Sequence, residues 1–460
     1  MSRGHRSLDG LVADLTPQDE TSRRVFLRRA ALTAGGLALT ACGDRAASSG
    51  ITGPLFSNPL FDKSEDDNKG HDKGDTFDHV IVVMMENRSF DHFLGWMKRA
   101  DGRQAGLSFT DANGVSHPTH ALAPDFQGCG LADPDHSFTG ARVEYDNGRC
   151  DGWLRAGKND IFSIGYYRQD DLEFLGRAAV DWTTCDRYFA AILGPTFPNR
   201  FYVHAGQTDR ISNTSTIATL PTIWDRLADA GLSGRYYFSD LPFLGLWGSK
   251  YTTISHPIAD FFAACETGAL PNVSYIDPVF SGEGSGTSID DHPHADIRAG
   301  EAFLQRIYTA VTQSPAWSKT VLVITYDEWG GFYDHVPPTA APTSPIDRAA
   351  GNVDGLRGFR VPTLVISPFA KREHVSSTVF DHTSILRMIE ERWRLTPLTT
   401  RTATANSLGD VLVKNEPRLP APRYPVPFVP PVQACSVAAA NVKANKWAPL
   451  VERARGLAAV

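Results

Sequence analysis

The sequence predicts an α/β fold with a mainly parallel central sheet, and three observations carry that expectation. Short β-branched or aromatic runs recur along the chain and stay apolar nearly throughout, as strands covered on both faces require. Amphipathic segments of helical spacing lie between several of them. The strand-like runs end in polar residues or turn formers, at the end of the strand where open α/β sheets bind ligands. In chain order the strand candidates are "FDHVIVVMM" from Phe77, "RYYFSD" from Arg235, "NVSYID" from Asn272, "TVLVITYD" from Thr320 and "VPTLVISPF" from Val361. The helix candidates are "STIATLPTIWDRLADAG", closing on Gly231, "DIRAGEAFLQRIYTAVTQS" from Asp296 and "HTSILRMIEERWRL" from His382.

Composition narrows the class. The chain has 460 residues, 42% hydrophobic and 21% charged, which fits a globular protein and neither a disordered nor a multi-span membrane chain. Its formal net charge of -7 is spread along the sequence. No basic face offers itself to nucleic acid. Nor does this balance favour electrostatic attraction to anionic lipid.

The first 42 residues are not fold. Ser22-Arg23-Arg24-Val25-Phe26-Leu27-Arg28 resembles a twin-arginine export signal, and the apolar run "AALTAGGLAL" follows it. That run is too short for a comfortable membrane span. It leads into Leu39-Thr40-Ala41-Cys42, which resembles a bacterial lipobox, so Cys42 is the expected lipidation site and mature N-terminus. The twin-arginine export machinery is therefore an expected partner. A cell-surface lipoprotein, or a secreted protein, is the expected destination. Residues 43–75 read as a polar linker ("SEDDNKGHDKGD"). Residues 76–410 hold the main domain, and residues 411–460 form an extension with the proline-rich stretch "PRLPAPRYPVPFVPP". The segment from about residue 432 is expected to form one short helix packing back on the domain.

Beyond Cys42 there are five cysteines, Cys129, Cys150, Cys185, Cys265 and Cys435, with no close C-x-x-C pair of the zinc-site kind. Cys129 and Cys150 flank one Gly/Asp-rich region and are the expected disulfide in an oxidising compartment. The odd number leaves at least one free thiol or an intermolecular bond.

The chemistry gathers at strand ends. Glu86 and Asn87 follow "VIVVMM", and Asp327 and Glu328 follow "TVLVITY", with Gly330-Gly331 next. Adjacent buried carboxylates repel and lose hydration, and a divalent cation relieves both penalties. Four oxygen ligands suit a hard or borderline ion whose identity they leave open. Thr196, in "GPTFPNR", is read in a stiff turn between prolines; a hydroxyl held there beside a metal is easier to ionise and becomes a plausible nucleophile. His136, His292, His294, His335 and His382 each have aspartate or proline close by, which favours loops, where several together can bind phosphate and move protons.

The stretches "MMENRSFDHFLG", "CDRYFAAILGPTFPNRFYVHAG", "DDHPHADIRAGEAFL", "YDEWGGFYDHVPP" and "FDHTSILRMIE" run in order from residue 77 to about residue 400. Together they resemble the phosphoesterase family of bacterial and plant non-specific, phosphatidylcholine-preferring phospholipases C and related acid phosphatases. The resemblance implies an alkaline-phosphatase-like α/β/α sandwich and one divalent metal ion. It implies metal ligation by Glu86, Asn87, Asp327, Glu328 and Thr196, with Thr196 also the nucleophile. His136, His292 and His335 would serve catalysis in the phosphate pocket, and His294 and His382 would bind substrate. Arg88, Asp91 and His92 would brace the first loop. Acid-phosphatase members tend to use serine where this chain has Thr196, which favours the phospholipase branch and a phospholipid or other phosphoester substrate. The long C-terminal β-rich additions of some large bacterial phospholipases C are expected to be absent. Trp96, Trp153, Phe162, Phe197, Trp329 and Phe332 are candidates for an apolar rim, with core packing the expected place of most of them.

Overall fold

In the computed structural model β1 (His79–Met85) is buried from Val80 onward, on both faces of its pleat. That is possible only where both faces of the sheet are covered. The structure describes residues 77–413, 417–435, 446–448, 450 and 451. The expected export signal, Cys42 and the linker lie outside the described residues.

β1 sits inside an eight-stranded sheet with β2 (Thr183–Cys185), β3 (Gly234–Phe238), β4 (Ser255–Pro257), β5 (Val273–Asp277), β6 (Thr320–Tyr326), β7 (Leu364–Ile366) and β8 (His374–Ser376). Their order is β8-β2-β7-β6-β1-β5-β3-β4. Only β7 runs against its neighbours, and every other pairing in the sheet is parallel. The sheet is thus mainly parallel, as the apolar runs predict. All seven residues of β6 are buried.

Four helices matter for the site: α1 (Thr196–Ala205), α2 (Ile223–Asp229), α3 (Ile297–Gln313) and α4 (His382–Trp393). α3 and α4 coincide with their sequence candidates. The third candidate is helical only in its second half, because Pro221 precedes Thr222 and the Thr222 side chain caps α2 by accepting from the Trp224 N–H. Thr196 differs more: it opens α1 rather than sitting in a turn. Pro195 caps this helix and Pro198 falls in its first turn, where no amide is needed for the helical ladder.

The disulfide expectation is overturned. Cys129 pairs with Cys435, at a Cα–Cα distance of 5.3 Å, while Cys150 is a free thiol. Cys150 instead packs with Trp153 and Tyr333 in a small separate core. Cys185 and Cys265 are also free and buried. The bridge ties the end of the proline-rich stretch to the domain, and beyond it Trp447 and Leu450 are buried in the main core. Of the apolar-rim candidates, Trp153, Phe162, Phe197, Trp329 and Phe332 are fully buried and Trp96 is partly buried, so they build core. Among the described residues no helix is long and apolar enough to cross a membrane.

Candidate active site

The register of the sheet assembles the site. Met85 pairs with Tyr326, so the residues that follow, Glu86 and Asp327, leave the sheet side by side. Asp277 ends β5, on the other side of β1. Asn87 takes φ 60°, a left-handed conformation uncommon outside glycine. Its amide N–H donates to Asp327 Oδ1 at 3.1 Å, and the Glu328 N–H donates to the same oxygen at 2.7 Å. Gly330, at φ 69°, passes so close to the Asn87 carbonyl that a Cβ would lie 2.1 Å from it. The glycine pair after Glu328 lets the two strand-end loops touch.

α1 adds two side chains from one face, Thr196 and, four residues on, Arg200. Thr196 Oγ1 donates to Glu86 Oε2 at 3.3 Å. Arg200 Nε donates to Glu86 Oε1 at 2.9 Å and Nη1 to Asp277 Oδ1 at 2.7 Å, with Asp327 Oδ2 at 3.4 Å from Nε. A second cation arrives from the C-terminal segment. Lys446 Nζ donates to Glu86 Oε2 at 2.6 Å and to Thr196 Oγ1 at 3.0 Å, and lies 3.3 Å from Glu283 Oε2.

This cluster is rich in buried acid. Glu86, Asp277, Glu283, Asp290, Asp327 and Glu328 are all buried, against Arg200 and Lys446. Burial, followed by the charge of Glu86, holds Asp327 well above the usual carboxylate range. Burial, followed by Asp327, does the same to Glu328. Asp290 is pushed up to about 8 by burial and then by Glu86. Three buried oxygens, Asn87 Oδ1, Asp327 Oδ2 and Glu328 Oε1, have no hydrogen-bond partner. Buried oxygens without a hydrogen bond on three neighbouring acid or amide groups are what a hard cation would satisfy. The residues present therefore fit a divalent ion.

The histidines divide. His136 Nδ1 donates to the Pro134 carbonyl at 3.0 Å, so its Nε2 can accept from Asn87 Nδ2 at 3.3 Å; Nε2 also lies 3.8 Å from Glu328. The ring of His292 meets that of His136 edge to face, with centroids 5.7 Å apart, and His292 Nδ1 bonds the Pro293 carbonyl. These two line the cluster. His382 stands behind it: Nε2 donates to the Asp327 carbonyl at 2.7 Å and Nδ1 is 3.2 Å from the Tyr188 hydroxyl. Burial lowers its pKa to about 4, and with both ring nitrogens bonded within the protein it braces the strand end. His294 is turned away, with Nε2 on the Leu131 carbonyl at 2.9 Å and its ring stacked on Phe162.

His335 belongs to a different cluster. Its Nδ1 is bonded to Asp91 and its Nε2 to Asp101 Oδ1 at 3.0 Å. Asp91, Asp334 and His335 bring ligand atoms within 4.8 Å of one another, a spacing that can hold a metal ion. Arg360 already occupies that role, at 3.1 Å from Asp91 and 2.9 Å from Asp334. The expected place of His335 in the phosphate pocket thus gives way to a loop-bracing one, because both ring nitrogens are spent on aspartates. The bracing role expected of Arg88, Asp91 and His92 matches their contacts: Arg88 donates to the Asp291 carbonyl at 2.7 Å and pairs with His92 at 3.0 Å.

Reading the sequence left out Arg200, Asp277, Glu283, Asp290 and Lys446. Asp277 ends an apolar run as Asp327 does, and Arg200 stands one helical turn past Thr196, so both carried a signal. Lys446 carried none.

Comparison with known proteins follows the same core. A family model described as "Phosphoesterase family" matches residues 77–396. Non-specific phospholipase C1 of Arabidopsis thaliana is 30% identical over 394 residues, 75% of this chain and 72% of its own. Phospholipase C A of Mycobacterium tuberculosis is 30% identical over 404 residues, 73% of this chain and 76% of its own. The non-hemolytic phospholipase C of Pseudomonas aeruginosa is 28% identical over 506 residues, 90% of this chain and 70% of its own. Among solved structures, a protein in the alkaline phosphatase superfamily from Vibrio parahaemolyticus aligns with a TM-score of 0.36 and 8% identity, covering 72% of this chain and 69% of that one.

Proposed function

The chain belongs to the phosphoesterase family and is a phosphoric ester hydrolase, and on that premise we propose that it is a phospholipase C with Thr196 as nucleophile. Its substrates would be glycerophospholipids such as phosphatidylcholine, and its products diacylglycerol and a phosphorylated headgroup. One observation carries this reading: a buried threonine hydroxyl, donating to Glu86, stands within the same cluster as three buried oxygens, of Asn87, Asp327 and Glu328, that have no hydrogen bond.

Glu86, Asn87, Asp327, Glu328 and Thr196 would hold one divalent cation, which supplies positive charge toward the phosphoryl oxygens and acidity to the threonine hydroxyl. The chain's own groups do the rest. Glu86 Oε2, already the acceptor of the Thr196 hydroxyl, takes its proton. The Thr196 oxygen bonds to phosphorus in line as the phosphorus–glycerol oxygen bond breaks. Protonated His292, whose Nδ1 is held by the Pro293 carbonyl, delivers a proton from Nε2 to the departing alkoxide, which leaves as diacylglycerol. The same histidine then takes a proton from water, whose oxygen displaces Thr196 from phosphorus and frees the headgroup phosphate, while Glu86 returns its proton to the Thr196 oxygen. Positioning and charge, more than covalent help, lower the barrier in such transfers.

A second reading has its own observation. His136, His292 and Thr196 are all buried, and the expected aromatic rim is core. Catalytic groups buried in this way suit a small phosphomonoester, the acid-phosphatase alternative. The deciding assay pairs phosphatidylcholine in mixed micelles with a simple phosphomonoester, using the purified protein and Thr196→Ala. Diacylglycerol release that falls on the order of 10⁴-fold or more in Thr196→Ala supports the lipase and its nucleophile. Turnover of the monoester alone moves the chain to the phosphatase reading.

Twin-arginine export and a lipid anchor at Cys42 complete the proposal, since an anchored enzyme meets its substrate at a membrane surface. Mass spectrometry of the mature N-terminus checks it. A diacylglyceryl-modified Cys42 is expected, and an N-terminus elsewhere rejects the anchor.

A further inference from the structure

We propose that Lys446 is a catalytic residue of this site, an ammonium brought onto the nucleophile's oxygen by the C-terminal segment. The inference rests on Thr196 being the nucleophile.

Four observations support it. First, Lys446 Nζ hydrogen-bonds the very atom that attacks, Thr196 Oγ1, at 3.0 Å, and also Glu86 Oε2, the acceptor of that atom's proton, at 2.6 Å. Second, the lysine is held in place. The next residue, Trp447, is fully buried, stacks on Phe280 with ring centroids 4.1 Å apart and bonds Glu283 through its indole N–H. Leu450 is buried beyond it, and the Cys129–Cys435 bridge ties the chain before it. Third, the lysine lies in the midst of buried acid, with Glu283 at 3.3 Å as a further partner. Fourth, it bonds none of the three buried oxygens of Asn87, Asp327 and Glu328 that lack a hydrogen bond. Those atoms remain for a cation, and the lysine shares only Glu86 and Thr196 with the ion's proposed ligand set.

The chemistry asks for a positive group at this point twice. When Thr196 loses its proton to Glu86 and bonds phosphorus, its oxygen carries developing negative charge. When water later breaks the phosphothreonine, the same oxygen is the leaving group and carries charge again until it regains a proton. An ammonium fixed on that oxygen in a buried site stabilises both moments without itself giving up a proton.

The test compares wild type with Lys446→Met and Lys446→Arg. Loss of one such donor is expected to lower kcat about 10²- to 10³-fold in Lys446→Met. Lys446→Arg, which keeps the charge and a donor, is expected to recover at least a tenth of wild-type kcat. Divalent metal content, by plasma mass spectrometry, should stay at the wild-type stoichiometry. Binding of orthovanadate, measured by calorimetry, should weaken at least tenfold in Lys446→Met and far less in Lys446→Arg. That arm needs no substrate. If wild type hydrolyses no phosphoester, the proposed function fails on its own, while vanadate binding still judges the lysine. Equal vanadate affinity in Lys446→Met and wild type overturns the proposal. So does faster turnover in Lys446→Met, which would make the lysine a plug. Should Lys446→Met not fold, Lys446→Arg is judged with Lys446→Gln by the same vanadate criterion.

Discussion

Arg200 Nε donates to Glu86 Oε1 at 2.9 Å. The contact locks a helix to the end of a strand, because Arg200 rises from α1 one turn past Thr196 while Glu86 ends β1. Through Nη1 the same guanidinium also holds Asp277 at the end of β5. One planar group thus fixes the spacing of two strand ends and of the helix that carries the hydroxyl.

Arg200→Met is therefore expected to destabilise the fold by about 3–5 kcal/mol, since it leaves Glu86 and Asp277 buried without their cation. Arg200→Lys is expected to recover less than half of that, because a point charge cannot serve both acids along the fork. Urea unfolding of the purified variants measures both. A midpoint for Arg200→Met within error of wild type would show that the contact carries no structural load.

How much of this was legible depends on how far apart the partners lie. β1 and β6 were readable because each is a continuous apolar run closed by acid, and neighbouring parallel strands put such ends together. α3 and α4 were readable from their apolar spacing. The Arg200 contact was half visible: the prolines around Thr196 suggested a turn, and prolines in a first helical turn give the same local signal. Lys446 was not visible, since nothing local marks it and its partners Thr196 and Glu86 are 250 and 360 residues away. The disulfide failed for the same reason, its cysteines being 306 residues apart. His335 and His136 look alike in sequence, each beside aspartate and proline. Only the fold shows that one faces Asn87 and the other Asp91.

The site's acid excess makes a prediction about the ion. In metal-free protein, Glu328→Gln removes one of several mutually repelling buried carboxyls, so its stability should equal or exceed that of metal-free wild type. With divalent ion present the order reverses. Wild type gains stability by mass action, roughly 2.7 kcal/mol at a hundredfold excess over Kd, and Glu328→Gln gains much less. Thermal unfolding with chelator and with added calcium, manganese or magnesium, read for both proteins, checks this. Equal ion-induced shifts in the two proteins would remove Glu328 from the ligand set.

The second acid cluster predicts a pH dependence far from the nucleophile. Burial works against a charged His335, but its bond to Asp91 and the charges of Asp91 and Asp334 outweigh burial and the opposing charge of Arg360, so its pKa is raised. Asp101, on its other nitrogen, is itself paired with Arg187 at 2.6 Å. A raised folded pKa means that protonated His335 stabilises the native state. That contribution is complete below the ordinary histidine value of about 6.5 and is lost as pH rises through the higher folded value. The stability advantage of wild type over His335→Gln should accordingly be largest near pH 6, on the order of 1–3 kcal/mol for a charge-assisted hydrogen bond. It should shrink steadily toward pH 9. Urea midpoints of the two proteins across that range measure the difference. An advantage that stays flat or grows with pH would mean that His335 is held neutral and that Arg360 alone balances Asp91 and Asp334.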